Sequence, residues 1–395
     1  MEIEGELAIH LYTAGGVVNK VDIQSSRPLN AVRIFHDKPV VDVLQTLPLL
    51  YHVCGTAQAH AAVMACESAM RRPVSKSVAA AREMLVWMET AREHCWRILL
   101  DWAAFLGEQG DQTTIASIQQ SMFELQQALF VDGKGFCLQA RLEPQFSKLK
   151  SVLQKLEVSL STTIFAMPTA QWLAMDSEEK LKAWLAKHDT IASRLLTRLM
   201  STSVLRQAGQ AVSFLPVMDS EQLQQRLTAD GTTDFVRQPD WQGKTCETGP
   251  LARQQAQPLV AALLRQYGNG VLPHMVARLV ELAEIPGRLQ LCLDGVRAGE
   301  SSNGEQADIN HHAEGVGFGQ VEAARGRLVH RVELEEDMVR CYQILAPTEW
   351  NFHPAGVAAT LLKQLAARDE VLLRQQADLV INSIDPCVRY RVVVH

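Results

Sequence analysis

Helical patterns between about residues 40 and 228 constrain this fold more than any other feature of the sequence. Apolar residues recur there at helical spacing over about 78–107, 112–130 and 141–160. The stretch from Thr56 to Met70 consists mainly of alanine and other small or apolar residues, so a helix there can pack very close to its neighbours. The sequence therefore predicts a long, largely helical part.

Strand-like patterns occur near both ends of the chain. Apolar and polar residues alternate around Gly15-Gly16, which predicts a β-hairpin within residues 1–30. A second hairpin is predicted over 320–345. The stretches 229–250 and 299–316 are rich in Gly and polar residues and are predicted to be loops. The predicted fold class is α+β and predominantly helical, with small β-hairpin regions near both ends.

Composition and charge limit the classes of function. A hydrophobic content of 47% and a charged content of 21% are typical of a soluble globular protein. A formal net charge of -6 leaves no broad basic field, so we expect no nucleic-acid partner. The apolar run from Ile98 to Leu106 is interrupted by Asp101, and the acidic start of the chain is unlike a signal peptide. We therefore expect a cytoplasmic protein without membrane insertion.

The spacing of the cysteines excludes a local paired-cysteine metal site of the zinc-ribbon kind. Eight are present, and none forms a CxxC pair with another. In a reducing cytoplasm a disulfide framework is not expected. A thiolate site in this chain must therefore join residues that are distant in sequence.

Each candidate site residue has a plain alternative. Cys387 lies between Pro386 and a strand-like run, where a lone cysteine is more often a packed thiol. Cys54 before Gly55 is equally compatible with packing, Arg325 with an exposed hairpin residue, and Thr348 with a turn or helix cap.

The order of these residues along the chain, together with their neighbours, favours a site role over these plain alternatives. Five segments together resemble the large subunit of nickel–iron hydrogenases, in the order of that family. They are Ile3–Leu7 with Gly15–Val18, His52–Gly55, Glu247–Arg253, Gly315–Pro354, and Asp385-Pro386-Cys387. The resemblance spans nearly the whole chain and implies a single large-subunit-like domain over 1–395. Its parts are an N-terminal hairpin (1–30), a helical part (40–228) and a second half (247–395) that includes the 320–345 hairpin and the metal-motif tail.

The resemblance implies an incomplete metal site. Family members hold nickel and iron with four thiolates from two CxxC pairs. Cys54 and Cys387 occupy the two terminal positions, whereas Ala57 and Tyr390 stand where the bridging cysteines are expected. In the family these two positions are terminal ligands of nickel, and without the bridging thiolates the resemblance implies no nickel and no hydrogen turnover. We predict instead that Cys54 and Cys387 are iron ligands.

The iron side of the pocket matches the family better. Its iron carries one carbon monoxide and two cyanides, held by an arginine and a Pro-Ser/Thr step, which correspond here to Arg325 and Pro347-Thr348. Cyanide nitrogens accept hydrogen bonds that guanidinium and hydroxyl groups can donate. Asp385 matches an acidic residue near the metals. By the same resemblance these four residues would contact an Fe(CN)2(CO) unit.

Other positions are left open by the sequence. Glu4 matches a carboxylate used for proton transfer, His36 stands where the family has a magnesium-binding glutamate, and His60 lies one residue closer to Cys54 than the family histidine. Family precursors are cleaved after a C-terminal histidine. This chain already ends at His395, so we expect no maturation cleavage.

Three functions are compatible with these features. Hydrogenase operons encode large-subunit-like expression/formation proteins of the HupK/HoxV type, and the sequence resembles them. The first hypothesis is a non-catalytic scaffold that transiently holds or assembles the iron unit and passes it to the large-subunit precursor. Its partners would be that precursor, a small maturation chaperone and the iron-unit assembly proteins. The alternatives are a metal-free chaperone of the same fold and a divergent hydrogenase-like redox subunit.

Overall fold

The computed structural model describes residues 5–51, 53–202, 212–228, 232–301 and 315–395. Helices dominate this part of the chain. The α-helices are α1 (Val40–Leu50), α2 (Gly55–Ala69), α3 (Lys76–Trp96), α4 (Trp102–Leu106), α5 (Gln112–Leu129), α6 (Phe146–Thr163), α7 (Thr169–Leu173), α8 (Glu178–Lys187), α9 (Ile191–Ser201), α10 (Ser220–Thr228), α11 (Thr232–Arg237), α12 (Pro250–Gln254), α13 (Pro258–Tyr267), α14 (Val271–Ser301), α15 (Pro347–Asn351), α16 (Val357–Leu362) and α17 (Glu370–Ile384). A π-helical turn, Arg97–Asp101, joins α3 to α4, and 3-10 turns cover Leu29–Phe35 and Val131–Gly133.

In the described part of the chain, eight strands form three small sheets. They are β1 (Glu6–Ala14), β2 (Val17–Ser25), β3 (Ser213–Phe214), β4 (Cys246–Glu247), β5 (Val316–Ala323), β6 (Gly326–Glu335), β7 (Met338–Leu345) and β8 (Arg389–Val394). The sheet orders are β2-β1-β8, β3-β4 and β5-β6-β7. The β5-β6-β7 sheet therefore consists of two successive hairpins that share β6.

The first sheet joins the two ends of the chain. Gly15 and Gly16 have φ of 60° and 79°, which suits the two-residue turn between β1 and β2. Strand β8 pairs with β1 in parallel, from Glu6 opposite Arg389 to Leu11 opposite Val394. This pairing holds the tail segment that precedes β8 beside the residues that follow β2.

Helices α3 and α14 lie at the centre of the main core. The first half of α14 is buried on all sides, yet it carries His274, Arg278 and Glu281 on one face. Buried charged groups need partners. His274 contacts Glu247 at 2.8 Å, and Glu281 accepts from Arg253 and lies 2.7 Å from His94. An ion pair between Arg253 and Glu281 and the histidine–glutamate contacts thus hold together, within the core, elements from both halves of the chain.

Helix α2 lies directly on β5. A Cβ added to Gly317 would be 2.1 Å from the Ala65 carbonyl oxygen, and one added to Gly319 would be 2.0 Å from that of Ala61. The strand therefore needs glycine opposite a helix face made of alanine. This is the close packing that the alanine-rich stretch predicted, and it sets the position of the residues at the start of α2.

Gly319→Ala is expected to lower the free energy of unfolding by about 3 kcal/mol, because the new methyl group overlaps a backbone atom that cannot rotate away. Urea denaturation measures the change. Gly287→Ala is the matched control: that helical glycine is exposed, and an added Cβ meets nothing within 4 Å. This control should raise stability by up to about 1 kcal/mol. Equal effects of the two substitutions would contradict the packing described here.

Three predicted boundaries require correction. The predicted loop 229–250 contains α11, because Phe235 and Val236 are buried and Phe235 packs edge-on against Trp350 at 6.4 Å. The predicted loop 299–316 is entered by α14, which continues to Ser301, and most of the remainder lies outside the described residues. The predicted hairpin 320–345 begins at Val316 and has three strands.

Among the described residues, no helix is both long enough and apolar enough to cross a lipid bilayer.

Candidate metal centre

The candidate centre contains two thiols from opposite ends of the sequence. Cys54 is the N-cap residue of α2, and Cys387 lies in the short turn between α17 and β8. Gln58 donates from Nε2 to Cys54 Sγ at 3.7 Å, and Thr348 Oγ1 lies 2.9 Å from Cys387 Sγ. Loss of water around the thiol raises the pKa of Cys54, and the nearby Cys387 raises it further. The two sulfurs are therefore electrostatic neighbours.

Arg325 completes the pocket on the side of β5 and β6. It occupies the turn between these strands and is buried. Its Nε donates to Asp385 Oδ1 at 3.1 Å and its Nη2 to Glu93 Oε2 at 2.9 Å. Burial would lower the pKa of Arg325, but Asp385, Glu93 and both thiols raise it above its usual range. Its Nη1 is buried and has no hydrogen-bond partner within the described part of the chain.

Asp385 lies at the centre of three arginines. Its Oδ1 accepts from Arg97 at 2.7 Å and from Arg325, and its Oδ2 lies 3.8 Å from Arg278 Nη2. Burial would raise the pKa of Asp385, but the three arginines lower it to about 2. The residue caps α17 in the left-handed conformation, with φ of 69°. It thus fixes both the Arg325 side chain and the turn that carries Cys387.

Helix α15 supplies the remaining polar contact. Pro347 is its first residue and Thr348 its second, and both are buried. Besides the Sγ contact, the Thr348 hydroxyl lies 3.5 Å from the backbone nitrogen of Cys387. Asn351, from the same helix, donates from Nδ2 to the Arg325 carbonyl oxygen at 3.1 Å. Through these contacts α15 ties the arginine turn to the cysteine turn.

Sequence reasoning missed the helix face that supports this pocket. Glu89, Glu93 and Arg97 follow each other at intervals of four residues along α3 and its π-helical extension. Glu89 accepts from the backbone nitrogens of Thr56 and Ala57. Glu93 binds Arg325, and Arg97 binds Asp385. The four-residue spacing of charged residues was the available signal. It did not show that this face was buried.

Glu89→Ala is expected to lower the free energy of unfolding by about 2 kcal/mol, because two amide groups at the start of α2 lose their acceptor. Thermal or urea denaturation measures the loss. Glu83→Ala, on the exposed side of α3, is the matched control and should change stability by about 0.5 kcal/mol or less. A similar small effect at Glu89 would show that it does not hold α2 in place.

The two positions without cysteine are occupied by groups that offer no thiolate. Ala57 is fully buried in the first turn of α2. Tyr390 is the second residue of β8, and its hydroxyl is hydrogen-bonded to Asp378 on α17. Within the ranges that the structure describes, no group of three or more His, Cys, Asp or Glu side chains could hold a metal ion. Of the four cysteine positions implied by the family resemblance, this chain keeps Cys54 and Cys387.

Three further residues had open roles. His36 is exposed and its Nδ1 lies 2.8 Å from the Arg340 carbonyl oxygen. His60 lies against Phe136, and burial together with Arg82 lowers its pKa to about 3. Neither histidine has a contact with the two thiols. Glu4 lies outside the described residues.

The fold is that of a nickel–iron hydrogenase large subunit. The [NiFeSe]-hydrogenase of Desulfomicrobium baculatum superposes with a TM-score of 0.64 at 16% sequence identity, over 95% of this chain and 94% of that chain. An identity this low shows the fold alone. It confirms the predicted fold class.

Sequence comparison identifies the family. The nickel-dependent hydrogenase family matches residues 189–390. The hydrogenase expression/formation protein HoxV of Cupriavidus necator is 30% identical over 94% of this chain and 92% of its own length. HupV of Azotobacter chroococcum, also a hydrogenase expression/formation protein, is 27% identical over 99% of both chains. This chain therefore belongs to the nickel-dependent hydrogenase family, in the group of hydrogenase expression/formation proteins.

Proposed function

We propose that this protein is a non-catalytic maturation factor that transiently holds an Fe(CN)2(CO) unit and passes it to the large-subunit precursor of a nickel–iron hydrogenase. The names of its relatives support a role in hydrogenase formation. The iron unit is cargo in this proposal. It arrives from assembly proteins, by way of a small chaperone, and leaves with the precursor.

The observation that carries the proposal is the free donor of Arg325. Its Nη1 is buried beside two thiols and lacks a partner among the described residues. Leaving a buried donor without an acceptor costs about 1–3 kcal/mol of folding free energy, and the cost is larger when the donor is charged. A cyanide nitrogen is an acceptor that could relieve this cost. Arg325, held from behind by Asp385 and Glu93, is oriented to donate to such a ligand.

The other contacts suit the same cargo. Thiolates are soft ligands that favour iron carrying strong-field groups, and Cys54 and Cys387 could supply two of them. The Thr348 hydroxyl is placed at the Cys387 sulfur, where it could donate to a thiolate or to the second cyanide. Pro347 would form part of the pocket wall. Asp385 would hold the Arg325 side chain in place.

The incomplete ligand set suits transient binding. Four thiolates hold the metals of family enzymes, but Ala57 and Tyr390 leave only two here. Fewer protein ligands should leave the iron easier to release. The same two substitutions remove the bridging ligands for nickel, so the proposal includes neither nickel nor hydrogen turnover.

The test is to purify the protein without oxygen from cells that make the maturation machinery, then record its infrared spectrum and metal content. We expect carbonyl and cyanide bands with iron and without nickel. Nickel with hydrogen uptake would support a divergent hydrogenase-like subunit. A protein that binds its precursor but carries neither bands nor metal would be a metal-free chaperone of the same fold.

A further inference from the structure

Two adjacent cavities that share three lining residues lie between the surface and the surroundings of Cys387. The outer cavity has a volume of about 480 Å³ and opens between the 3-10 turn Leu29–Phe35 and β7. The inner cavity has a volume of about 20 Å³. Leu29, Val32 and Ile344 line both, so they form the junction. The outer volume is within the range of about 300–1,000 Å³ typical of small-molecule sites.

The inner cavity ends at Arg27 and Tyr51. Arg27 Nη2 lies 4.0 Å from Cys387 Sγ, and its guanidinium lies 6.0 Å from the centre of the Tyr51 ring. Burial raises the pKa of Tyr51 to about 12. The side chains at the inner end are therefore the last groups before the candidate metal centre.

In this structure the Arg27 side chain lies between the inner cavity and Cys387. A volume of about 20 Å³ has room for about one water molecule and for nothing larger. Arg27 Nη1 is held by Glu349 at 2.8 and 3.1 Å, and both side chains are largely buried. Its contact with sulfur is longer and weaker. Glu349 is thus the group that keeps Arg27 across the opening.

We propose that these cavities are the route by which the iron unit reaches Cys54 and Cys387, and that Arg27 is the gate. This inference rests on the function proposed above. Opening requires the Arg27–Glu349 ion pair to separate and the guanidinium to move away from Cys387. The Leu29–Val32–Ile344 junction then sets the width of the passage.

Alkylation of Cys387 tests the route without cargo. Protein made in cells without maturation machinery is treated anaerobically with iodoacetamide or with a bulky maleimide, and peptide mass spectrometry measures labelling at each cysteine. Val32→Trp narrows the junction without changing any charge. We expect it to slow labelling of Cys387 about tenfold or more with both reagents, which corresponds to about 1.4 kcal/mol in accessibility.

Val41→Trp is the matched control. Val41 is 53% exposed on α1 and lines neither cavity, so the same substitution there should leave the rate within about twofold of wild type. Cys66 and Cys95 are fully buried and report on folding, because both stay unlabelled in an intact protein. Unchanged labelling of Cys387 in a folded Val32→Trp protein would overturn the proposed route.

Glu349→Gln tests the gate. We expect faster labelling of Cys387, with a larger increase for the bulky maleimide than for iodoacetamide, because a wider opening helps the larger reagent more. A change in the thiol pKa alone would speed both reagents equally, and that result would overturn the gate. Cargo loading is measured separately: if these labelling results hold but the wild-type protein never carries carbonyl bands, the proposed function fails while the route stands.

Discussion

Cys54→Ala and Cys387→Ala are each expected to abolish the carbonyl and cyanide bands of the protein purified with its maturation machinery. Under the proposed function, each substitution removes one of the two thiolates assigned to the iron, and the remaining thiolate would leave the unit with one bond to the protein. Anaerobic infrared spectroscopy with iron analysis measures the loss. Circular dichroism should show an unchanged helical content, because removing one sulfur leaves the ion pairs around Asp385 in place.

Cys137→Ala is the matched control for these variants. Its thiol donates to the Lys134 carbonyl oxygen, in the segment between α5 and α6 and outside the candidate metal centre. This variant should therefore show the same carbonyl and cyanide bands as the wild-type protein. Bands that persist in both Cys54→Ala and Cys387→Ala would show that the ligand assignment is wrong. Loss of bands in Cys137→Ala as well would point to an oxidation or folding effect common to all cysteine variants.

Asp385→Ala is expected to lower the free energy of unfolding by about 3–5 kcal/mol. It leaves Arg278 and Arg325, which are buried, and the partly exposed Arg97 with too little counter-charge. Burial already lowers the pKa of Arg278 to about 10 against the opposing effect of Asp385, so this arginine depends on the carboxylate. Urea denaturation at neutral pH gives the measurement.

Two comparisons separate the causes of that loss. Asn tolerates the left-handed backbone at this position, so Asp385→Asn removes the charge with little strain and should be less destabilising than alanine. Glu108→Ala breaks an exposed pair with Arg194 and should cost about 1 kcal/mol or less. Because the folded-state pKa of Asp385 is lowered to about 2, its contribution is complete above about pH 4 and is lost as the pH falls toward 2. An Asp385→Ala effect no larger than that of Glu108→Ala would contradict the buried network.

Much of the pocket could be anticipated from residue types and their order. Arg325, Pro347-Thr348, Asp385 and Cys387 were selected because their neighbouring residues resemble a known family, and the structure brings them together with Cys54. The helical part and the N-terminal hairpin followed from the periodicity of apolar residues, which depends on local backbone geometry. The roles of the two cysteines as iron ligands and of Arg325 and Thr348 as donors to cyanide stay predictions.

The supporting groups could not be found in this way. Arg27, Glu89, Glu93 and Arg278 look like ordinary charged residues of helices and turns. The four-residue spacing of Glu89 and Glu93 marks one face of a helix, but it does not show that this face is buried or which distant residues are its partners. Helix α11 was missed for a related reason, because its apolar residues are buried by Trp350, more than a hundred positions away.

The sequence by itself determined which chemical groups are present: two separated cysteines, an arginine in a hairpin turn, and Ala57 and Tyr390 in place of two thiols. Only the tertiary structure decided which of these groups meet and in what state of charge. The reason is physical: burial makes unpaired charge costly, so Arg325 and Asp385 acquire their orientation from partners on α3 and α14. The same packing places Arg27 across the opening to Cys387, which no local pattern in the chain indicates.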